Sequence, residues 1–204
     1  MKIYFARHGE SEANRLRIIS NRNLPHKLTD AGREQARQLG LRLRPRSIHS
    51  IYTSPLLRAV ETSAIIGKIL NVQFEAVDEL REYDCGIAEG RSDKAAWKLW
   101  QEEHDNWMFG RDLNYKIEGG ESYQDVKNRF VLFIDGLIND LSQESTEILC
   151  VSHGGIYSVM LPLVMRNITP QLMMKYGFDY TSCIIAEPTP NGLVCIEWDG
   201  HGIA

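Results

Sequence analysis

Two short apolar runs that each stop at a histidine and a glycine constrain this chain more than any other feature. The first, residues 3–6, is followed by Arg7, His8 and Gly9; the second, 148–151, by Ser152, His153, Gly154 and Gly155. Near-continuous apolar runs of this length suit strands buried on both faces, the pattern of a parallel sheet covered by helices. Polar, reactive residues immediately beyond such strands need a separate reason.

The intervening periodicities supply the covering helices. Residues 30–43 read as a helix with Thr29 as N-cap. Residues 50–53 read as a strand. Ser54 and Pro55 are expected to open a helix to about Leu70, with Leu56, Val60, Ala64 and Gly67 as its inner stripe. Residues 122–141 form the clearest helix: Ser122 and Asp125 fit a capping box, and Val126, Phe130, Phe133, Leu137 and Leu141 share one face. Residues 147–151 read as a strand, and Gly155 to about Met165 as a helix. Two further strands, 181–187 and 193–198, are joined by a turn-forming run at 188–192. Strands alternating with helices predict a three-layer α/β/α sandwich with a mostly parallel central sheet. The 204 residues suffice for one domain over 1–204. Residues 91–118, rich in tryptophan and charge, show no clean period.

Composition excludes several classes. A net charge of −4 does not suit a nucleic-acid or acidic-membrane surface. No apolar segment approaches the roughly 20 residues of a membrane span, and the N-terminal apolar run is too short for a secretory signal, so a cytoplasmic location is expected. Cys85, Cys150, Cys183 and Cys195 form no CxxC pair and read as buried reduced thiols. The basic cluster Arg33, Arg37, Arg42, Arg44 and Arg46 reads as a solvated helix face.

In open α/β sheets, ligands bind beyond the carboxyl ends of the strands. If the strands ending at Arg7-His8, Ser54-Pro55 and Ser152-His153 are neighbours, two histidines and the arginines Arg7 and Arg58 converge. Such a point suits an anion. Arginine presents a planar fork to phosphate oxygens, glycine admits backbone N–H groups, and helix N-termini add donors. A neutral histidine nitrogen can attack phosphorus; a second histidine, if charged, can stabilise the transition state.

The motif order resembles that of the histidine phosphatase superfamily, the phosphoglycerate-mutase-like proteins. "ARHGESEAN" is similar to the family signature, and "LTDAGREQA", "TSPLLRAVETS", "LREYDCGIAEG", "GGES" and "VSHGG" follow in the family's order. The resemblance implies a phosphoglycerate-mutase-like fold. Residues 91–118 are expected to cover the site, because they fall between Glu82 and the helix at 122. The resemblance also implies His8 as nucleophile, and Arg7, Arg58, Asn14 and His153 as holders of the phosphoryl oxygens, with Gly154 beside them. Glu82 would be the acid and then the base, its pKa raised by the neighbouring phosphate. Ser20 would line the phosphate pocket. His26, in a stretch that departs from the family pattern, receives no role. No metal or other cofactor is implied, since arginines and histidines supply the positive charge.

The expected partner is a small phosphorylated metabolite, with no nucleic acid or membrane; family members are often dimers, which leaves a homodimer open. Within the family, mutases that use a phosphorylated cofactor carry Arg-His-Tyr after the catalytic glutamate, whereas Glu82 is followed by Tyr83 and Asp84. This favours a phosphatase over a mutase. A non-catalytic phosphate sensor is disfavoured by the joint presence of His8, His153, Arg7, Arg58 and Glu82. Trp97, Trp100 and Trp107 are read either as anchors of the covering segment or as walls around an organic leaving group.

Overall fold

A computed structural model describes residues 1–22, 24–140, 146–190 and 192–203. Seven strands form one sheet: β1 (Lys2–Arg7), β2 (Ile48–Thr53), β3 (Phe74–Ala76), β4 (Glu147–Ser152), β5 (Cys183–Thr189), β6 (Gly192–Trp198) and β7 (His201–Gly202), in the order β3-β2-β4-β1-β5-β6-β7. The pairs β3/β2, β2/β4 and β4/β1 are parallel, and β1/β5, β5/β6 and β6/β7 are antiparallel. The helices are α1 (Glu12–Leu16), α2 (Asp30–Leu43), α3 (Leu57–Leu70), α4 (Lys94–Met108), α5 (Tyr123–Asp140), α6 (Gly154–Val164) and α7 (Pro170–Tyr176).

Strand alternation builds the layers. On β1, Tyr4 and Ala6 pack with Leu39 and Leu43 of α2 and with Ala59 and Ile66 of α3. Ile3 and Phe5 face the other way, into a core with Val126 and Phe130 of α5 and Ile156 and Met160 of α6. Consecutive residues of one strand are therefore both fully buried, which explains its unbroken apolar run. All four cysteines are buried free thiols.

The register fixes the site. Arg7 lies opposite Ser152, and Thr53 opposite Val151. His8, Ser54 and His153 thus leave the parallel half of the sheet at one end. Gly9 is required there because a Cβ would meet the Gly32 carbonyl in the first turn of α2.

Several elements differ from expectation. α3 begins at Leu57, not at Pro55: Ser54 accepts the Leu56 amide at 3.2 Å in a local turn and does not cap the helix. The inner stripe shifts accordingly to Ala59, Thr62, Ser63 and Ile66, while Ala64 is exposed. The Ser122–Asp125 capping box forms as read; Leu141, assigned to that helix face, lies outside the described residues. So does Asn191 in the 188–192 turn. The short elements α1, β3, α7 and β7, and the helix α4, carried no clear period.

Candidate active site

His8 and His153 stand at the ends of adjacent parallel strands with ring centroids 5.0 Å apart, at 2% and 1% exposure. The Gly9 carbonyl lies 2.6 Å from His8 Nδ1 and therefore takes its proton. That leaves Nε2 as the lone-pair nitrogen, and Arg58 Nε donates to it at 3.0 Å. Burial first, then the charges of Arg58 and Arg7, push the His8 pKa well below its ordinary value. His8 is therefore a neutral imidazole with a fixed tautomer and a nucleophilic Nε2.

Ser54 Oγ accepts the Leu56 amide and pairs with His153 Nε2, 2.7 Å away. The other ring nitrogen, Nδ1, is buried without a partner. His153 is likewise held neutral, by burial first and then by the charges of Arg58 and Arg7. It is therefore a neutral ring, not the charged one that the strand-end reading allowed for.

Two arginines complete this pole. Arg58 is held by the Ser20 carbonyl at 2.6 Å, and burial lowers its pKa to about 10, which leaves it charged at neutral pH. Arg7 donates through Nη1 to the Phe178 carbonyl at 2.7 Å and lies over the Tyr180 ring at 4.4 Å. Its Nε is a buried donor without a partner. Gly154 makes room for it: a Cβ there would lie 3.1 Å from Arg7 Cζ and Nε. Buried polar atoms normally find partners. Two orphans beside a nucleophilic nitrogen form a cradle for an anion.

Glu82 is 7% exposed and closes the pocket from the side of α6. Its Oε2 accepts the Gly155 amide at 2.9 Å and its Oε1 the Ile156 amide at 2.7 Å. The N-terminus of α6 thus cradles a carboxylate of the protein itself, not the incoming anion. Burial raises the Glu82 pKa, opposed by Arg58 and the backbone donors. Desolvation within the fold thus favours the protonated form that an acid needs, before any phosphate adds to it.

The remaining expected residues are close by. Asn14 Oδ1 serves the α1 capping box with Ser11, while the residue lines the cavity. Ser20 lines it too, and its hydroxyl lies 2.8 Å from His26 Nδ1, which connects the unassigned His26 to the site. Tyr83 is fully buried against Trp107, and Asp84 pairs with Arg22 at 2.9 Å. Trp107 is an anchor, donating to the Tyr115 carbonyl at 2.8 Å, whereas Trp97 and Trp100 line the cavity. Sequence reasoning missed Ser54 and Tyr180, both recognisable only by spatial neighbours, and Thr62, which receives the Gly9 amide at 3.1 Å.

The cavity measures about 490 Å³, with the buried His8 and Arg58, beside Arg7, at its inner end. Among the described residues, no group of three or more His, Cys, Asp or Glu side chains is placed to hold a metal ion, and no helix is long and apolar enough to cross a membrane.

Known proteins resemble the chain in sequence and fold. The chain is 32% identical over 157 residues, 76% of its length and 70% of the other's, to a protein of Salmonella choleraesuis (strain SC-B67) named "Probable phosphoglycerate mutase GpmB". The crystal structure of the alpha-ribazole phosphatase from Shigella flexneri superposes with a TM-score of 0.78 at 25% identity, covering 100% of this chain and 98% of that one. Mycobacterial glucosyl-3-phosphoglycerate phosphatase, in complex with VO3, matches at a TM-score of 0.79 and 20% identity over 100% and 99% of the two chains, which is a likeness of fold. The family description "Histidine phosphatase superfamily (branch 1)" matches residues 3–200. With the motif order, the sheet and the paired histidines all in agreement, the chain belongs to branch 1 of the histidine phosphatase superfamily.

Proposed function

We propose that the protein is a phosphomonoesterase that hydrolyses a small phosphorylated metabolite through a phosphohistidine at His8. The observation that carries this reading is the state of His8: neutral, with Nδ1 on the Gly9 carbonyl and the Nε2 lone pair beside Arg58. The phosphate dianion is drawn to Arg7, with its orphaned Nε, and to Arg58, Asn14 and His153, with Ser20 and Gly154 at its margin. Arg58 Nε turns from His8 to a phosphoryl oxygen, freeing the lone pair. Nε2 attacks phosphorus, the bond to the ester oxygen breaks, and Glu82 gives that oxygen its proton. Glu82, now a carboxylate, takes a proton from water, which attacks the phosphohistidine and releases inorganic phosphate. Charge is stabilised throughout by arginine and histidine donors, the part that a metal ion plays elsewhere.

On this reading the chain works as one catalytic domain, with residues 91–118 covering the inner pole. Free buried thiols suit a reducing cytoplasmic setting.

A mutase reading draws support from the name of the Salmonella relative and from Arg17 at the cavity wall. The phosphatase reading is favoured because Tyr83 points into the core and Asp84 is an anion paired with Arg22. Neither offers a grip for a second anionic end. The test is release of inorganic phosphate from p-nitrophenyl phosphate in excess chelator, compared with interconversion of 3- and 2-phosphoglycerate in the presence of the bisphosphate primer. Phosphate release that survives chelator, with little interconversion, is expected. Rapid interconversion with negligible release would reverse the assignment, and loss of activity in chelator that magnesium restores would end the metal-free reading.

A further inference from the structure

We infer that the outer half of the cavity selects phosphate esters whose alcohol carries a flat, uncharged aromatic group, and that Trp100 sets this preference; the inference rests on the phosphatase reading above.

The cavity is far larger than a phosphate needs. At about 490 Å³ it falls within the range of organic-ligand pockets. Its charged groups gather at the inner pole. The outer wall is built from Trp97, Trp100, His104, Met108 and Met173, with Phe178 holding Arg7 through its carbonyl at the boundary. Of the three arginines that line the cavity, Arg7 and Arg58 belong to the inner pole, and Arg17 is exposed. A second anionic group on the substrate would therefore meet only a solvated cation.

This wall is already assembled. Trp97 Nε1 donates to the Arg17 carbonyl at 2.7 Å, which ties α4 to the end of α1. Trp97 meets Trp100 edge-on at 5.5 Å and 68°. Trp100 stacks on His104 at 5.0 Å and 18°. His104 Nε2 lies 2.7 Å from Ser158 Oγ, so α6 holds the imidazole in place. Burial also keeps His104 neutral, consistent with a wall that carries no charge. Trp100 is thus fixed from one side by a parallel ring while remaining half-buried at the cavity. A rigid indole offers a large stacking surface at little entropic cost, and the methionines of the lining adapt to the edge of a flat guest.

The experiment compares esters of primary alcohols, so that leaving-group basicity varies little: 2-(2-naphthyl)ethyl phosphate, glycerol 1-phosphate and 3-phosphoglycerate, with p-nitrophenyl phosphate as control. For the full-length protein, kcat/KM for the naphthyl ester should exceed that for either of the others by about tenfold or more, the effect of about 1.4 kcal/mol of added binding. Trp100→Ala should cut this ratio about tenfold, mainly through KM, and Trp100→Phe, which keeps a flat ring, should retain most of it. A ratio near one in the unaltered protein overturns the inference, whether or not Trp100→Ala folds. So does a ratio that Trp100→Ala leaves unchanged. Failure to cleave p-nitrophenyl phosphate would instead refute the phosphatase reading, and the inference with it; cleavage of that ester without a naphthyl preference refutes the inference alone.

Discussion

Replacing Glu103 with glutamine should make the protein more stable at alkaline pH and nearly unchanged in acid. Glu103 lies on α4 with no exposed surface. Its Oε1 accepts the Ile117 amide at 2.8 Å, whereas Oε2 is buried without a partner, as is the nearby Tyr83 hydroxyl. Burial, followed by the negative charges of Asp84, Glu121 and Glu89, raises its pKa from 4.5 to about 7, against the opposing pull of the Ile117 amide. A shift of that size corresponds to about 3 kcal/mol between the two protonation states. The folded protein holds this proton more tightly than the unfolded chain. The contribution is therefore fully present below pH 4.5 and is lost as pH rises through about 7. Glutamine keeps the acceptor for Ile117 but cannot ionise. Thermal unfolding of both proteins from about pH 5 to about pH 9 isolates the group, since all other titrations are shared. The melting temperature of Glu103→Gln should rise relative to the unaltered protein across this window, by roughly 5–12 °C at the alkaline end for a chain of this size. A difference that stays constant with pH would show that Glu103 is ionised in the fold throughout, and would refute the reasoning.

Gly155→Ala places a Cβ 2.7 Å and 2.9 Å from the two Glu82 oxygens and 2.9 Å from a Tyr83 ring carbon. It should cost about 1–3 kcal/mol of stability, measured by denaturant unfolding, and displace Glu82, so that phosphate release from alkyl esters falls by at least tenfold. Glu82→Gln should slow alkyl phosphates far more than p-nitrophenyl phosphate, because only poor leaving groups require the proton; a plot of rate against leaving-group pKa should steepen, and an unchanged slope would remove Glu82 from that role.

The parts of this fold that sequence made legible are those with one dominant cause. Residues 3–6 and 148–151 are apolar because both faces of their strands are covered, and Val126, Phe130 and Phe133 recur because α5 has a single inner side. The start of α3 was misplaced because Ser54 and Pro55 carry the local signals of a cap, while the Ser54 hydroxyl is committed to His153 across the sheet. α4 lacked a clean period because it serves several surroundings: Trp107 enters the core, Glu103 is buried, and Trp97 and Trp100 face the cavity. Of the site, the convergence of His8, His153, Arg7 and Arg58 followed from strand ends. The His8 tautomer did not, because it depends on the Gly9 carbonyl. Nor did the position of Glu82 at the start of α6, since no local pattern joins residues 73 positions apart.

The bond formed at His8 Nε2 can be observed directly. The protein is mixed with a phosphate-labelled monoester, quenched within its first turnovers and digested. The geometry at His8 predicts an acid-labile, base-stable label on the peptide that contains His8, absent from His8→Ala, whose turnover should drop by several orders of magnitude. Label confined to a serine or aspartate peptide, or turnover that persists in His8→Ala, would contradict it.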